Sequence, residues 1–195
     1  MERVILFDGT DIGHFSHVNG SPLKWIVENG VMKVLPFSGD IISDVKFRDA
    51  HIHVEWMEPI TLNPLKNQHK GNSGVFIHGI YEVQVLDSYG VEEPKNNDCA
   101  AIYEMYAPLV NACKPPLEWQ EYDIYFRAPR FNEDGSIKEF ARVTVIQNGI
   151  CVQNNVELYR RCGGGIESDI RGEGPLLLQD HMHNVWFRNI YIDKY

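Results

Sequence analysis

The sequence predicts an all-β fold, a jelly-roll-like sandwich of two antiparallel sheets, and three observations carry that expectation. Helical periodicity is almost absent along the chain. Short runs rich in Val, Ile, Tyr, Phe and Trp recur between Gly, Pro and Asn punctuation, as half-buried strands joined by turns do. Two Asn-Gly pairs, Asn29-Gly30 and Asn148-Gly149, each separate two such runs, and this dipeptide supplies the positive φ angles of a two-residue hairpin turn.

The elements follow in order. A first hairpin is expected over residues 25–34, then strands at about residues 40–44, 51–58, 74–78, 81–87, 100–104 and 122–127. A second hairpin falls over residues 142–153, and a last pair of strands near residues 176–179 and 185–192. The connections 59–72, 88–98, 105–117 and 154–174 are longer and polar or rich in Gly and Pro. Long loops on a sandwich tend to form its binding face. Gly163-Gly164-Gly165 follows no expected strand and opens no helix, so it does not read as a phosphate-cradling loop.

With 195 residues, 44% of them hydrophobic, the chain can bury one sizeable core, and a single domain over residues 1–195 is expected. A formal charge of −9 argues against nucleic acid as a partner, because phosphate binding needs concentrated Lys and Arg. No run approaches the ~18–20 apolar residues of a membrane-spanning helix, and residues 1–7 are too short and too weakly charged for a secretory leader. A soluble chain is expected, with the compartment open: a periplasmic or secreted protein whose leader had been removed would read the same way. Nothing in the sequence sets the oligomeric state. Cys99, Cys113, Cys151 and Cys162 show no Cys-x-x-Cys spacing, which disfavours a zinc knuckle or redox motif. Buried free thiols are expected, with a Cys99–Cys113 bridge as the alternative.

Aromatic and carboxylate side chains share several strands, which is what a carbohydrate cleft requires: flat rings for sugar C–H faces beside polar groups for hydroxyls. Trp25, Trp56, Trp119 and Trp186 are candidate platforms or core residues; Trp119, bracketed by Glu118 and Gln120 after Pro115-Pro116, has the best case for a platform. The densest polar constellation is Tyr81-Glu82-Val83-Gln84-Val85-Leu86-Asp87. Strand alternation places Glu82 and Gln84 on one face with Tyr81, Val83 and Val85 behind. Asp87 joins them only if a β-bulge near Leu86 swings it round. Asn72-Ser73-Gly74 supplies amide and hydroxyl groups at a strand entrance. His51/His53 and His181/His183 have i, i+2 spacing, which on a strand puts both imidazoles on one side; such pairs with a carboxylate would suit a divalent metal of unspecified identity. No organic cofactor is expected.

Taken together, these segments resemble the 3-keto-disaccharide hydrolase domain family, whose members adopt the concanavalin-A-like lectin/glucanase sandwich. The likeness begins at Leu6-Phe7-Asp8-Gly9-Thr10-Asp11. It passes through the runs starting at Trp25, Asn72 and Tyr81, then Ala101-Ile102-Tyr103 and Glu118-Trp119, and closes with residues 174–181 and 187–190. Leu117 and Gln120 stand where the family's Gly-Glu-Trp-Asn has Gly and Asn, and Met182-His183-Asn184 replaces its Gly-rich step.

The resemblance implies a saccharide or glycoside substrate and cleavage of 3-keto-glycosides by C2 proton abstraction, elimination and hydration. In that scheme Glu82 or His53 is the base and Asp87 or His181 the acid. Gln84, Asn72 and Arg188 donate to hydroxyl or oxyanion groups, with Glu118, Trp119 and Gln179 also around the sugar. A non-catalytic carbohydrate-binding module and a conventional glucan hydrolase are the alternatives. The spacing Glu82-x-Gln84-x-x-Asp87 is similar to the Glu-x-Asp-x-x-Glu motif of retaining laminarinase-type glucanases. Gln84 cannot ionise, however, which disfavours double displacement across carboxylates ~5–5.5 Å apart.

Overall fold

A computed structural model describes residues 2–62 and 67–195 of the chain. Residues 63–66, part of the long connection expected at 59–72, lie outside the described residues.

Among the described residues, fifteen strands are distributed over two main antiparallel sheets and one small hairpin. They are β1 (Glu2–Phe7), β2 (Phe15–His17), β3 (Ile26–Glu28), β4 (Val31–Lys33), β5 (Ile41–Phe47), β6 (Ala50–Met57), β7 (Ser73–Ile77) and β8 (Tyr81–Val85). Then come β9 (Gln120–Arg127), β10 (Arg130–Phe131), β11 (Ile137–Glu139), β12 (Ala141–Gln147), β13 (Ile150–Leu158), β14 (Gly174–Leu178) and β15 (Trp186–Lys194). One sheet runs β13-β12-β9-β6-β15-β4-β3, with β1 also paired to β15; the five-stranded sheet runs β2-β5-β14-β7-β8. This is the jelly-roll β-sandwich that the alternation of the sequence predicts.

Both Asn-Gly turns form as expected, with φ of 51° and 76° at Asn29 and Gly30 and of 51° and 80° at Asn148 and Gly149. Segment 100–104 differs from expectation. Instead of a strand it is a pair of tight turns, with Ala100 and Glu104 in the left-handed region at φ 62° and 58°. Those two residues break the extended backbone, yet the segment still covers the free edge of β8. Gln84 N donates to Ala101 O, Ala100 N to Gln84 O and Tyr103 N to Glu82 O. Covering an edge strand in this way removes a site for non-native pairing.

The inner faces of the sheets meet in one apolar core. Tyr81, Val83 and Val85 point into it, and Tyr81 lies 6.1 Å from Phe126 of the facing sheet, centroid to centroid. Trp25 and Trp56 are core residues: Trp25 stacks on Phe187, and Trp56 lies 4.1 Å from the Tyr122 ring. Tyr122 also ties the sheets together, since its hydroxyl donates to Gln84 O at 2.6 Å. All four cysteines are free thiols; Cys99 and Cys162 are buried, Cys113 is half-buried, and Cys151, against expectation, is exposed on β13.

A carboxyl group is also sealed in the core. Glu58 accepts from Trp56 Nε1 at 2.8 Å and Gln120 Nε2 at 2.7 Å, and burial pushes its pKa up to about 7. Because the folded value exceeds the ordinary 4.5, the protonated form favours folding: its contribution is present below pH 4.5 and is lost as pH rises through 7. The loss is on the order of 3 kcal/mol. Urea unfolding at pH 5 and pH 8 is expected to show a steeper loss of stability in the wild type than in Glu58→Gln; equal slopes would refute the assignment.

Candidate active site

On the outer face of the five-stranded sheet lies a pocket of about 240 Å³, a little below the usual range for small-molecule sites. Its floor is the β7–β8 hairpin. Gly74 stands opposite Gln84 and Phe76 opposite Glu82. Alternation therefore turns Glu82 and Gln84 outward into the pocket as their neighbours enter the core. Gln68, from a single 3₁₀ turn at Asn67–His69, and Asn72 form one wall. Tyr103, carried by the turn that covers the β8 edge, forms another. Gly163 and Gly164 roof the pocket, and Gln179 and His181, just past β14, close it.

The glycines have a steric role here rather than a phosphate-binding one. A Cβ on Gly165 would lie 2.3 Å from Gly79 O and 3.0 Å from Phe76 Cδ1, so the triple-glycine segment is pressed against the β7–β8 turn and the Phe76 ring. On the floor, a Cβ on Gly74 would lie 2.5 Å from Glu82 Oε1. The glycine leaves the space that the carboxyl group occupies.

Glu82 is 3% exposed, and its carboxyl group makes no ion pair or side-chain hydrogen bond among the described residues. Burial, followed by the like charges of Asp40 and Glu104, holds its pKa well above the ordinary carboxylate range. Asp40 is raised by its own burial, although it accepts a hydrogen bond from Asp180 N at 2.8 Å. Tyr103 is likewise raised, first by burial and then by Glu104 and Glu82. Around the carboxyl, Asn72 donates to Gln68 O at 2.9 Å and Gln84 donates to Gln68 Oε1 at 3.3 Å. That leaves Asn72 Oδ1 and Gln84 Oε1 buried with no donor, and His181 Nδ1 buried with no partner. Orphaned polar atoms converging on one concavity are what a ligand rich in hydroxyl groups would satisfy.

Of the candidate residues, Asn72, Glu82, Gln84, Gln179 and His181 line this pocket together, and Asp87, His53, Glu118, Trp119 and Arg188 do not. The β7–β8 ladder runs from Ile77–Tyr81 to Ser73–Val85 without a shift, so no bulge turns Asp87 back. Asp87 instead lies past the strand end, where Oδ1 accepts from Tyr89 N at 3.2 Å and its own N–H donates to Lys70 O. The other four are on or beside the outer face of the opposite sheet. His53 Nδ1 is 2.9 Å from Asp123 Oδ1, with its ring stacked on Tyr191. Arg188 pairs with Glu55 at 2.6 Å and lies over the Trp119 ring at 4.0 Å. Glu118 is exposed in a turn closed by its N–H to Pro115 O.

His51 and His53 fall as strand spacing suggested and share Asp123 Oδ1, whereas His181 and His183 lie between β14 and β15 rather than on a strand, with Met182 at φ 64° and their rings parallel at 6.2 Å. Among the described residues, however, no three His, Cys, Asp or Glu side chains converge in a metal-holding arrangement. Gln68, Gly163 and Gly164 carried no signal of their own in the sequence, since loop residues have no periodicity to place them. Tyr103 was visible only within the segment Ala101-Ile102-Tyr103.

Residues 2–193 match the model of the 3-keto-alpha-glucoside-1,2-lyase-like domain. The chain belongs to that family. A 3-keto-disaccharide hydrolase of Bacteroides thetaiotaomicron is 26% identical over 217 residues, covering 88% of this chain and 70% of that protein. A candidate glycosyl hydrolase from Parabacteroides distasonis ATCC 8503, solved by crystallography, superposes with a TM-score of 0.90 at 39% identity, covering 99% of this chain and 84% of that one. A second Parabacteroides distasonis structure, at 22% identity and a TM-score of 0.71, shares the fold. The lyase-like domain thus takes in both sheets and every residue of the Glu82 pocket.

Proposed function

We propose that this chain cleaves 3-keto-glycosides by elimination and hydration, with Glu82 as the base. The observation that carries the reading is the Glu82 carboxyl, buried, without a partner among the described residues and facing a pocket otherwise lined by amides, a phenol, an imidazole and glycine backbone. Family membership and the Bacteroides relative support the same reaction class.

A ketone at C3 acidifies the C2 hydrogen. Glu82 removes that proton, the electrons pass through an enediolate, and the C1–O bond breaks. The departing oxygen takes a proton from His181 or Tyr103; in the second half the same group, now deprotonated, takes a proton from water as its oxygen adds at C1, and Glu82 returns a proton to C2. A base whose pKa lies above that of a free carboxylate is suited to such a cycle, because it takes a proton from carbon more readily and still releases it. The donors of Gln179 and the acceptors Asn72 Oδ1 and Gln84 Oε1 hold the sugar hydroxyls. Conventional double displacement has less support, since Glu82 is the one carboxylate lining the pocket among the described residues.

The test is turnover of a 3-keto-glucoside in D₂O, sampled early. The expected product carries deuterium at C2, and full activity is expected after exhaustive chelation. Cleavage of an unoxidised glucan, or product with no label at C2 together with no primary isotope effect on a substrate deuterated at C2, would refute elimination. Activity lost to a chelator and restored by a divalent ion would bring a metal into the mechanism.

A further inference from the structure

Six of the nine arginines are held in ion pairs, and Arg160 donates to the carbonyls of Glu104 and Arg161. The two that remain, Arg48 and Arg171, make no ion pair or side-chain hydrogen bond among the described residues. Both line one cleft of about 420 Å³, together with Lys46. Residues 63–66 are Asn, Pro, Leu and Lys, so no carboxylate for these cations stands outside the described residues. In a chain where 27 acids outnumber 18 bases, random placement would neutralise such a group first.

Arg171 Nε is shielded from solvent and has no acceptor, which has a cost unless a ligand supplies one. Phe131, 37% exposed, walls the cleft and packs beside Gly172, leaving an aromatic surface next to the guanidinium groups. Glu173 is the one acid on the lining among the described residues. The cleft continues the sheet that carries the Glu82 pocket. Lys46 stands opposite Pro175 in the β5–β14 ladder, and β14 leads on to Gln179 of that pocket, about 13 Å away at strand rise.

We propose that this cleft binds a carboxylate-bearing sugar unit, with Arg48 and Arg171 on the carboxylate and Phe131 against the ring. The planar fork of arginine matches a carboxylate in two parallel hydrogen bonds, and an aromatic wall receives a sugar's C–H face. The proposal rests on the reading that the chain handles saccharides, but not on any role of Glu82.

The test is calorimetric titration of the full chain with a glucuronic-acid-containing oligosaccharide and with its carboxyl-reduced, neutral counterpart. The acidic sugar is expected to bind at least tenfold more tightly, and Arg48→Gln/Arg171→Gln to abolish that preference. Phe131→Ala should weaken both sugars. Arg48→Lys/Arg171→Lys, which keeps the charge and loses the fork, should fall between wild type and the Gln double variant. Glu82→Gln is expected to retain the preference, so failure here is distinguishable from failure of the catalytic reading. Equal affinity for the two sugars, or a folded Gln double variant that keeps the preference, overturns the proposal. So does acetate or sulfate binding as tightly as the acidic sugar, which would define a bare anion site.

Discussion

Glu82→Gln is expected to lower kcat on a 3-keto-glucoside by about 10²–10⁴-fold, the range associated with loss of a positioned general base, while leaving the protein as stable or more stable at neutral pH. The two effects have one cause. The carboxyl is buried with no partner among the described residues, and Asp40 and Glu104 add like charge. Its folded pKa is raised above the ordinary 4.5, so the stability that the protonated form permits is present below pH 4.5 and is lost as pH climbs toward the folded value. Gln keeps the shape and cannot ionise, so this loss disappears. Thermal melts of wild type and variant at pH 5 and pH 8 should converge at the lower pH and separate, in favour of Gln, at the higher. A variant that is inactive and also less stable at pH 8 would point to a structural role, and one that keeps near-wild-type kcat would remove Glu82 from the chemistry.

What the sequence made legible divides along physical lines. Alternation placed Glu82 and Gln84 outward and Tyr81, Val83 and Val85 inward, because period-two geometry acts within a strand and needs no tertiary knowledge. The Asn-Gly turns were legible for the same reason: their positive φ angles are a local requirement. Asp87 was not, since its position depends on whether the ladder shifts, and the partner strand runs in register to its end. His53 and Arg188 illustrate a different limit. His53 sits on a strand with the expected alternation, and Arg188 on one that alternates up to it and is then interrupted at Asn189, where φ is 47°; in either case periodicity gives a face without saying which sheet or which side of the sandwich that face belongs to. His53 and Arg188 turn to the outer surface of the larger sheet, where Asp123 and Glu55 hold them. Gln68 and Tyr103 come from loops folded over the β7–β8 hairpin, and only tertiary packing brings them to the pocket. Segment 100–104 had the composition of a strand, but the left-handed φ at Ala100 and Glu104 makes it an edge cover that carries Tyr103.

Gly74→Ala is expected to reduce kcat by about 10²-fold with little change in stability, whereas Gly165→Ala is expected to cost stability directly. Gly74 has no left-handed backbone requirement, so alanine is conformationally acceptable there and even restricts the unfolded chain slightly. Its Cβ, however, would lie 2.5 Å from Glu82 Oε1 and 2.8 Å from Phe76 Cε2. One of the two must yield. The Phe76 ring is held under the roof, with Cδ1 3.0 Å from where a Gly165 Cβ would stand. Glu82 Oε1 is the far end of a flexible side chain facing open pocket. The carboxyl therefore moves, and a displacement near 1 Å at a reacting group is enough for a loss of that size. At Gly165 the obstacle is the backbone oxygen of Gly79, 2.3 Å from the added carbon, and a hairpin turn cannot retreat without disturbing β7 and β8. Overpacking of that kind typically costs about 1–3 kcal/mol. Steady-state kinetics and urea unfolding on both variants decide the matter: kcat should fall with Tm held in Gly74→Ala and Tm should fall in Gly165→Ala. Wild-type kcat in folded Gly74→Ala would mean that the position of the Glu82 carboxyl does not govern the rate.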